Sequence, residues 1–183
     1  MHTPADVARV RRETASRKTP WTLPELEASL PRALDPQNWK LTASHGGEGA
    51  VGASTLRGWT SGTPQAQGMW FTIELPQPVV VTEVQFESMS TGGGRGGRGA
   101  APGAPAPAVV TGYPRGYTVQ VSADGKEWSK PIAEGKGDSA RTTIAFAPTR
   151  AKFVRITETE NAADAPWSMR SLRIYEAPGA ARK

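Results

Sequence analysis

The sequence predicts an all-β fold, an antiparallel β-sandwich of the jelly-roll kind with a short N-terminal helix. About eight short segments after residue 38 alternate apolar and polar side chains, so that each has one apolar face. Gly, Pro or Asp-Gly separates these segments, and no convincing helical pattern follows Leu30. Strands of this kind bury their apolar faces when two sheets pack against each other. The predicted strands cover residues 39–44, 69–75, 79–87, 116–122, 128–133, 139–147, 152–159 and 169–175.

The region before the first strand divides into two parts. Residues 1–20 are polar and form either a linker or one or two helical turns with Val7 and Val10 on one face. Residues 21–37 contain a clearer helix start, because Thr22 and Glu25 have the spacing of a capping box. Pro31 limits this helix to about two turns. A helix this short is stable only when it docks on another part of the protein.

Composition excludes several classes of site. The chain of 183 residues has no cysteine, so it has no disulfide, zinc-thiolate site or thiol nucleophile. The net charge of +5 comes from basic residues scattered among acids, and we expect neither nucleic-acid binding nor membrane insertion. The N-terminus lacks the apolar segment of a signal peptide. The chain is then either cytoplasmic or a piece of a larger exported bacterial protein, and we favour an extracellular or periplasmic location.

A Gly/Pro-rich insert is expected at residues 91–112, between two strands of the sandwich. Its Gly-Arg-Gly-Gly-Arg-Gly stretch at 94–99 is similar to segments that bind RNA, but one short copy favours a flexible loop insertion. Closing a longer loop costs little additional free energy. Residues 177–183 are expected to form a tail.

Several segments resemble a known family in order and spacing. The most specific is residues 114–128, which read Tyr-x-Val-x-x-Ser-x-Asp-Gly-x-x-Trp from Tyr117 onward. Residues 38–60, 68–75, 150–156 and 167–175 extend the resemblance to residues 38–176. This part of the chain resembles the discoidin-like domains, the C-type domains of coagulation factors five and eight, together with the galactose-binding-like bacterial carbohydrate modules.

The resemblance implies a jelly-roll sandwich without a catalytic centre, which binds sugars, lipid head groups or proteins through loops at one end. Many family members also hold a structural calcium ion in the loop before the first Trp. Here Gly52 replaces the expected Asp, Glu48 is the only nearby carboxylate, and Arg57 would repel a cation. We therefore expect no cofactor and no metal, with a weak site made of backbone carbonyls as the remaining alternative.

Candidate ligand-binding residues lie in the loops at 44–58, 88–115 and 159–167, which should share one end of the sandwich. Polar side chains beside an aromatic ring suit a sugar, because hydroxyls need directed hydrogen bonds and the C–H face stacks on a ring. Asp164 lies in the last of these loops, whereas Trp39, Trp70, Trp128, Trp167 and Tyr117 are assigned to the core. The candidates are His45, Arg57, Trp59, Tyr113, Arg115 and Asn161.

Enzyme motifs are missing from the sequence. There is no Gly-x-Ser-x-Gly elbow, P-loop or His-x-x-x-His pair, and His45 is the only histidine outside the N-terminal tail. The leading hypothesis is a non-catalytic module that binds carbohydrate. The alternative is a structural or protein-interaction domain that tethers part of a larger polypeptide, and a binder of anionic membranes or nucleic acid ranks third.

Overall fold

The computed structural model describes residues 4–91 and 109–178, and it confirms the predicted all-β sandwich. Within these residues, ten strands follow two N-terminal α-helices. Strand order in the main sheet is β1-β10-β4-β9-β7-β8, β2 also pairs with β4, β3 pairs with β10, and every pairing is antiparallel. The strands are β1 (Arg32–Ala33), β2 (Lys40–Ala43), β3 (Trp59–Gln65), β4 (Trp70–Glu87), β5 (Ser90–Thr91), β6 (Val110–Thr111), β7 (Tyr117–Ser122), β8 (Ala133–Gly135), β9 (Arg141–Glu158) and β10 (Ala162–Glu176).

Two long strands connect the layers of the sandwich. The N-terminal half of β4 pairs with β2, whereas its C-terminal half pairs with β10, and β9 accompanies it on the other side along both halves. The predicted strands at 69–75 and 79–87 are therefore one bent strand, and those at 139–147 and 152–159 are another. Pro76 and Pro78 interrupt the apolar alternation, but hydrogen bonding to β9 resumes at Val79 after a register shift.

The structure corrects three further boundaries. β3 was not predicted, because its sequence of Thr, Ser, Gly and Pro lacks an apolar alternation. β10 begins at Ala162 rather than 169, where it pairs with β3. The segment 128–133 forms a strand only at its last residue, since β8 spans Ala133–Gly135. The insert begins at the short ribbon of β5 and β6, and its residues 92–108 lie outside the described part of the chain, as do residues 179–183 of the tail.

The N-terminal segment forms two helices, α1 (Pro4–Ser16) and α2 (Leu23–Ser29). The capping box is confirmed, because Thr22 accepts from the Glu25 amide and Glu25 accepts from the Thr22 amide. The hydrogen bonds from Thr22 are the main reason that the pKa of Glu25 falls to about 2. α2 buries none of its residues, and Leu23 is 75% exposed. Two described contacts join α2 to α1 and the residue after it. Arg9 donates to the Ser29 carbonyl, and Arg17 forms an ion pair with Glu25. No described helix is long and apolar enough to cross a membrane.

The core lies between the two layers and is built around three packed aromatic rings. Trp59 contacts Phe71 and Trp167 edge-on, with ring centroids 4.8 and 5.3 Å apart. Trp39, Trp167 and Tyr117 are buried, as their assignment to the core predicts.

Trp70 and Trp128 were wrongly assigned to this core. They lie only half-buried on the outer face of the sheet, where the Arg155 guanidinium stacks between them at 3.8 Å from the Trp128 ring and 4.9 Å from the Trp70 ring. Phe71, Ile73, Val154 and Ile156 point inward on the same strands, so the alternate positions Trp70 and Arg155 point outward.

Candidate functional site

The strand pairings bring several loops to one end of the sandwich. Ala43 pairs with Phe71, Trp70 with Thr157, and Tyr117 with Glu158, so β2 ends, β4 begins, β9 ends and β7 begins at the same edge. The loops that follow or precede these residues leave from that edge. We call it the loop end, defined by residues 44–46, 66–69, 112–116 and 159–164.

A cluster of Tyr113, Arg115 and Asp164 occupies the loop end. The Arg115 guanidinium lies over the Tyr113 ring at 4.0 Å from its centroid, and its Nη2 is 3.5 Å from Oδ2 of Asp164. The Arg115 side chain is 20% exposed and that of Asp164 is 63% exposed. The cluster therefore presents fixed guanidinium donors beside an accessible carboxylate acceptor.

Gln65 fixes the backbone of this cluster from below. Its side-chain amide donates to the Tyr113 carbonyl at 2.9 Å, and its Oε1 accepts from the Arg115 backbone amide at 3.2 Å. Gln65 is 2% exposed and is the last residue of β3, so the cluster stands on a rigid strand. Sequence reasoning missed Gln65 because the strand that carries it was not predicted.

Glu158 lies directly beneath the cluster and is 1% exposed. Neither of its carboxylate oxygens makes a well-formed hydrogen bond to another described residue, and Nη1 of Arg115 is also buried without one. Burial raises the pKa of Glu158 to about 8, although Arg115 and the Gly116 backbone amide act in the opposite direction. Its position alternates with the inward-facing Val154 and Ile156, which is the sequence signal that could have identified it.

Two other candidates lie at the loop end without joining this cluster. Asn161 accepts a hydrogen bond from the Gln67 backbone amide at 2.9 Å, which fastens the turn between β3 and β4. His45 is exposed, and its Nδ1 is 3.0 Å from the Ser44 hydroxyl. None of the described contacts links His45 to Tyr113 or Arg115.

Arg57 has no described contact with Tyr113, Arg115 or Asp164. Its side chain is exposed, and its backbone amide donates to the Thr55 hydroxyl at 3.1 Å. The expectation that Arg57 and Arg115 flank one cleft therefore stays a prediction.

Trp59 is a correction to the ligand-binding candidates. Only 3% of it is exposed, and Phe71 and Trp167 pack against its ring. Its Nε1 donates to the Gly46 carbonyl at 2.9 Å. A ring enclosed in this way has no free face for a sugar, so Trp59 instead joins the 44–58 loop to the core.

The loop for which the family resemblance suggested calcium is closed by its own hydrogen bonds. It contains a 3-10 helix (Gly47–Ser54), and the Gly52 carbonyl within it already accepts from the amides of Thr55 and Gly58 and from the Thr55 hydroxyl, at 2.9–3.1 Å. A Cβ at Gly52 would lie 2.1 Å from the Gly58 carbonyl oxygen, so the loop is closed tightly upon itself. Within residues 4–91 and 109–178 no three acidic, His or Cys side chains are grouped as metal ligands.

Comparison with protein families identifies the fold. Residues 103–172 match the F5/8 type C domain. This segment resembles the discoidin-like domains. The match includes β7, with its Tyr117 and Asp-Gly turn, and most of β10, so the predicted family resemblance is confirmed. No curated protein matches this sequence.

Solved structures share the discoidin-like fold at low sequence identity. CpGH89CBM32-5 from Clostridium perfringens, in complex with GalNAc-beta-1,3-galactose, is 20% identical, with a TM-score of 0.58 over 79% of this chain and 99% of its own. The family 32 module of C. perfringens NanJ, in complex with galactose, is 15% identical, with a TM-score of 0.57 over 80% and 100%. Chitosan-binding module 1 of a Paenibacillus chitosanase/glucanase is 23% identical, with a TM-score of 0.55 over 75% and 95%.

Proposed function

We propose that this chain is a non-catalytic carbohydrate-binding module whose ligand contacts Tyr113, Arg115 and Asp164 at the loop end. The observation that carries the proposal is the arrangement of the Arg115 guanidinium, 4.0 Å from the Tyr113 ring and 3.5 Å from the Asp164 carboxylate. Neighbouring hydroxyls of a sugar need both donors and acceptors, and this cluster offers both on a fixed backbone. The solved relatives with GalNAc-beta-1,3-galactose and galactose support this ligand class.

Replacement of Arg115 should abolish most of the sugar affinity. A glycan array identifies the ligand first, and titration calorimetry then compares the wild type with Arg115→Ala and Asp164→Asn. Hydrogen bonds from a charged group are worth about 1.5–3 kcal/mol, so we expect Arg115→Ala to weaken binding by about 10- to 100-fold. Asp164→Asn is the more conservative test, because Asp164 is largely exposed and its loss should leave the fold intact.

Arg57→Ala is the matched control for that experiment, since it removes the same charge from an exposed residue whose described contact, with Thr55, lies outside the cluster. It should retain wild-type affinity. An array without any hit from a folded protein would contradict the proposal, and so would equal loss of affinity in Arg57→Ala and Arg115→Ala.

We propose that the domain folds and binds without calcium. A ligand at one hundred times its dissociation constant stabilises the folded state by about 2.7 kcal/mol, which would be visible as a higher melting temperature. We expect the same melting temperature in calcium and in EDTA, measured by scanning calorimetry. A clear upward shift in calcium would contradict this proposal.

The second candidate function is a structural or protein-interaction domain within a larger exported protein. The exposure of Leu23 on α2, a helix that buries none of its residues, favours it. In that role the helices would dock on a neighbouring domain, and the chain would act outside the cytoplasm. Deletion of residues 1–30 should then abolish the interaction, whereas sugar binding at the loop end should survive this deletion.

A further inference from the structure

A bulge in β10 opens a hollow on the side of the sandwich. Arg170 pairs with Glu87 and Arg173 with Gln85, so Ser171 and Leu172 lie opposite a single residue of β4. Ser171 adopts a left-handed backbone conformation at this point, with φ of 51°. The hollow has a volume of about 260 Å³, and Leu56, which is 82% exposed, borders it from the 47–58 loop.

Positive charge dominates this hollow. Glu87 is the only acidic residue among those that line it, whereas Arg141 and Arg173 both line it. Glu87 accepts from Arg141 at 3.0 Å and lies 3.3 Å from Nε of Arg170, and the hydrogen bond from Arg141 is the main reason that its pKa is lowered. One carboxylate is therefore shared by two guanidinium groups, and Arg173 adds a third positive charge. We call this region the basic hollow, defined by Leu56, Gln85, Glu87, Arg141, Ser171 and Arg173.

The chemistry of the basic hollow suits an acidic sugar. Guanidinium groups bind a carboxylate or sulfate. The Ser171 hydroxyl and the Glu87 carboxylate line the same hollow and can form hydrogen bonds with sugar hydroxyls. Leu56 offers an apolar surface to the C–H face of a ring. The volume is below the 300–1,000 Å³ or so of pockets that enclose a whole small ligand, so the hollow fits one residue of a longer chain.

We propose that the basic hollow is a second carbohydrate site, which holds an acidic residue of an anionic polysaccharide. It is separate from the loop end, because Ser171 follows Asp164 by seven positions along β10, which is up to about 23 Å of extended strand. Binding at one site can therefore be tested independently of binding at the other.

The test is affinity electrophoresis of the full chain in gels that contain polygalacturonate, alginate or heparin, with neutral dextran as the uncharged reference. We expect at least one anionic polysaccharide to retard the wild type and dextran to have no effect. The double variant Arg141→Gln/Arg173→Gln should bind about fivefold more weakly, as the loss of two partly exposed charge pairs predicts. Arg150→Gln is the matched control, because Arg150 is an exposed arginine of β9 beyond the bend, and it should behave as the wild type.

Three results would overturn the proposal. The first is a wild type that none of the three anionic polysaccharides retards. The second is a weakening per removed charge that is the same for Arg150→Gln and for the double variant, because binding would then follow net charge alone. The third is equal retardation by poly-L-glutamate at the same charge density, which would indicate an acidic protein surface instead of a sugar. The Arg115→Ala variant should keep this retardation, so failure of the loop-end site is distinguishable from failure of this one.

Discussion

Glu158→Gln should stabilise the protein at neutral pH, although it replaces a residue beneath the candidate sugar site. The carboxyl is 1% exposed, and burial raises its pKa to about 8 from an ordinary value of 4.5. The folded protein therefore holds this proton more tightly than the unfolded chain does, and its stability falls as the pH rises from about 4.5 to 8. At pH 7 the free energy of unfolding is therefore roughly 3 kcal/mol lower than it is below pH 4.5, since each pH unit above the unfolded pKa lowers it by about 1.4 kcal/mol.

Urea unfolding at several pH values measures this effect. We expect Glu158→Gln to raise the free energy of unfolding at pH 7 by about 1–3 kcal/mol, because the amide removes the titration but remains a buried polar group. The gain should nearly vanish at pH 4, where the wild-type carboxyl is protonated in both states. Glu127→Gln is the control, because Glu127 is exposed, and it should change the free energy of unfolding at pH 7 by less than about 0.5 kcal/mol. A Glu158→Gln variant that is less stable than the wild type at pH 8 would contradict this assignment.

Arg155→Ala should be the most destabilising single change on the outer face of the sandwich. The guanidinium stacks on Trp128 and on Trp70, and its Nε donates to the Thr72 hydroxyl at 3.0 Å. Each stacking contact is worth about 0.5–2 kcal/mol when it is partly desolvated, and the hydrogen bond adds about 1 kcal/mol. Truncation also leaves a gap between the two indole rings. The expected loss is about 2–4 kcal/mol in the free energy of unfolding.

Two further variants separate stacking from charge. Arg155→Lys keeps the charge but has no planar group to fill the space between the rings, so it should recover less than half of the loss. Arg150→Ala on the same strand removes an exposed arginine and should change stability by less than about 0.5 kcal/mol. If Arg155→Ala unfolds at the wild-type urea concentration, the two tryptophans do not depend on Arg155 for their packing.

The alternation of side chains made much of the fold predictable from the sequence. Val119 and Val121 in β7 and Val154 and Ile156 in β9 repeat with a period of two, and each is buried as that period predicts. The capping box of Thr22 and Glu25 marked the start of α2 in the same way, because its signal lies within four residues.

Features that depend on distant residues were not predictable. Trp70 was assigned to the core because its ring is large and apolar, yet Arg155, which lies 85 positions later, covers it on the outside. Trp59 looked like a loop residue, and only the packing of Phe71 and Trp167 shows that it is buried. Such contacts form through strand pairing between distant segments, which a local pattern does not record.

The candidate site was predicted in part for the same reason. Tyr113 and Arg115 lie two residues apart next to a recognisable strand, and the structure places them in contact. Gln65 and Glu158, which support Arg115 and lie beneath it, come from β3 and β9. Their participation follows from the pairing of β3 with β10 and of β9 with β7.

The most direct test of carbohydrate binding at the loop end is an NMR titration of the labelled protein with the best ligand of the glycan array. We predict that the largest amide shift changes occur at Gln65, Tyr113, Arg115 and Asp164, and that Arg115→Ala removes them. Shift changes that cluster on α1 and α2, or that persist at full size in Arg115→Ala, would contradict a sugar site at the loop end.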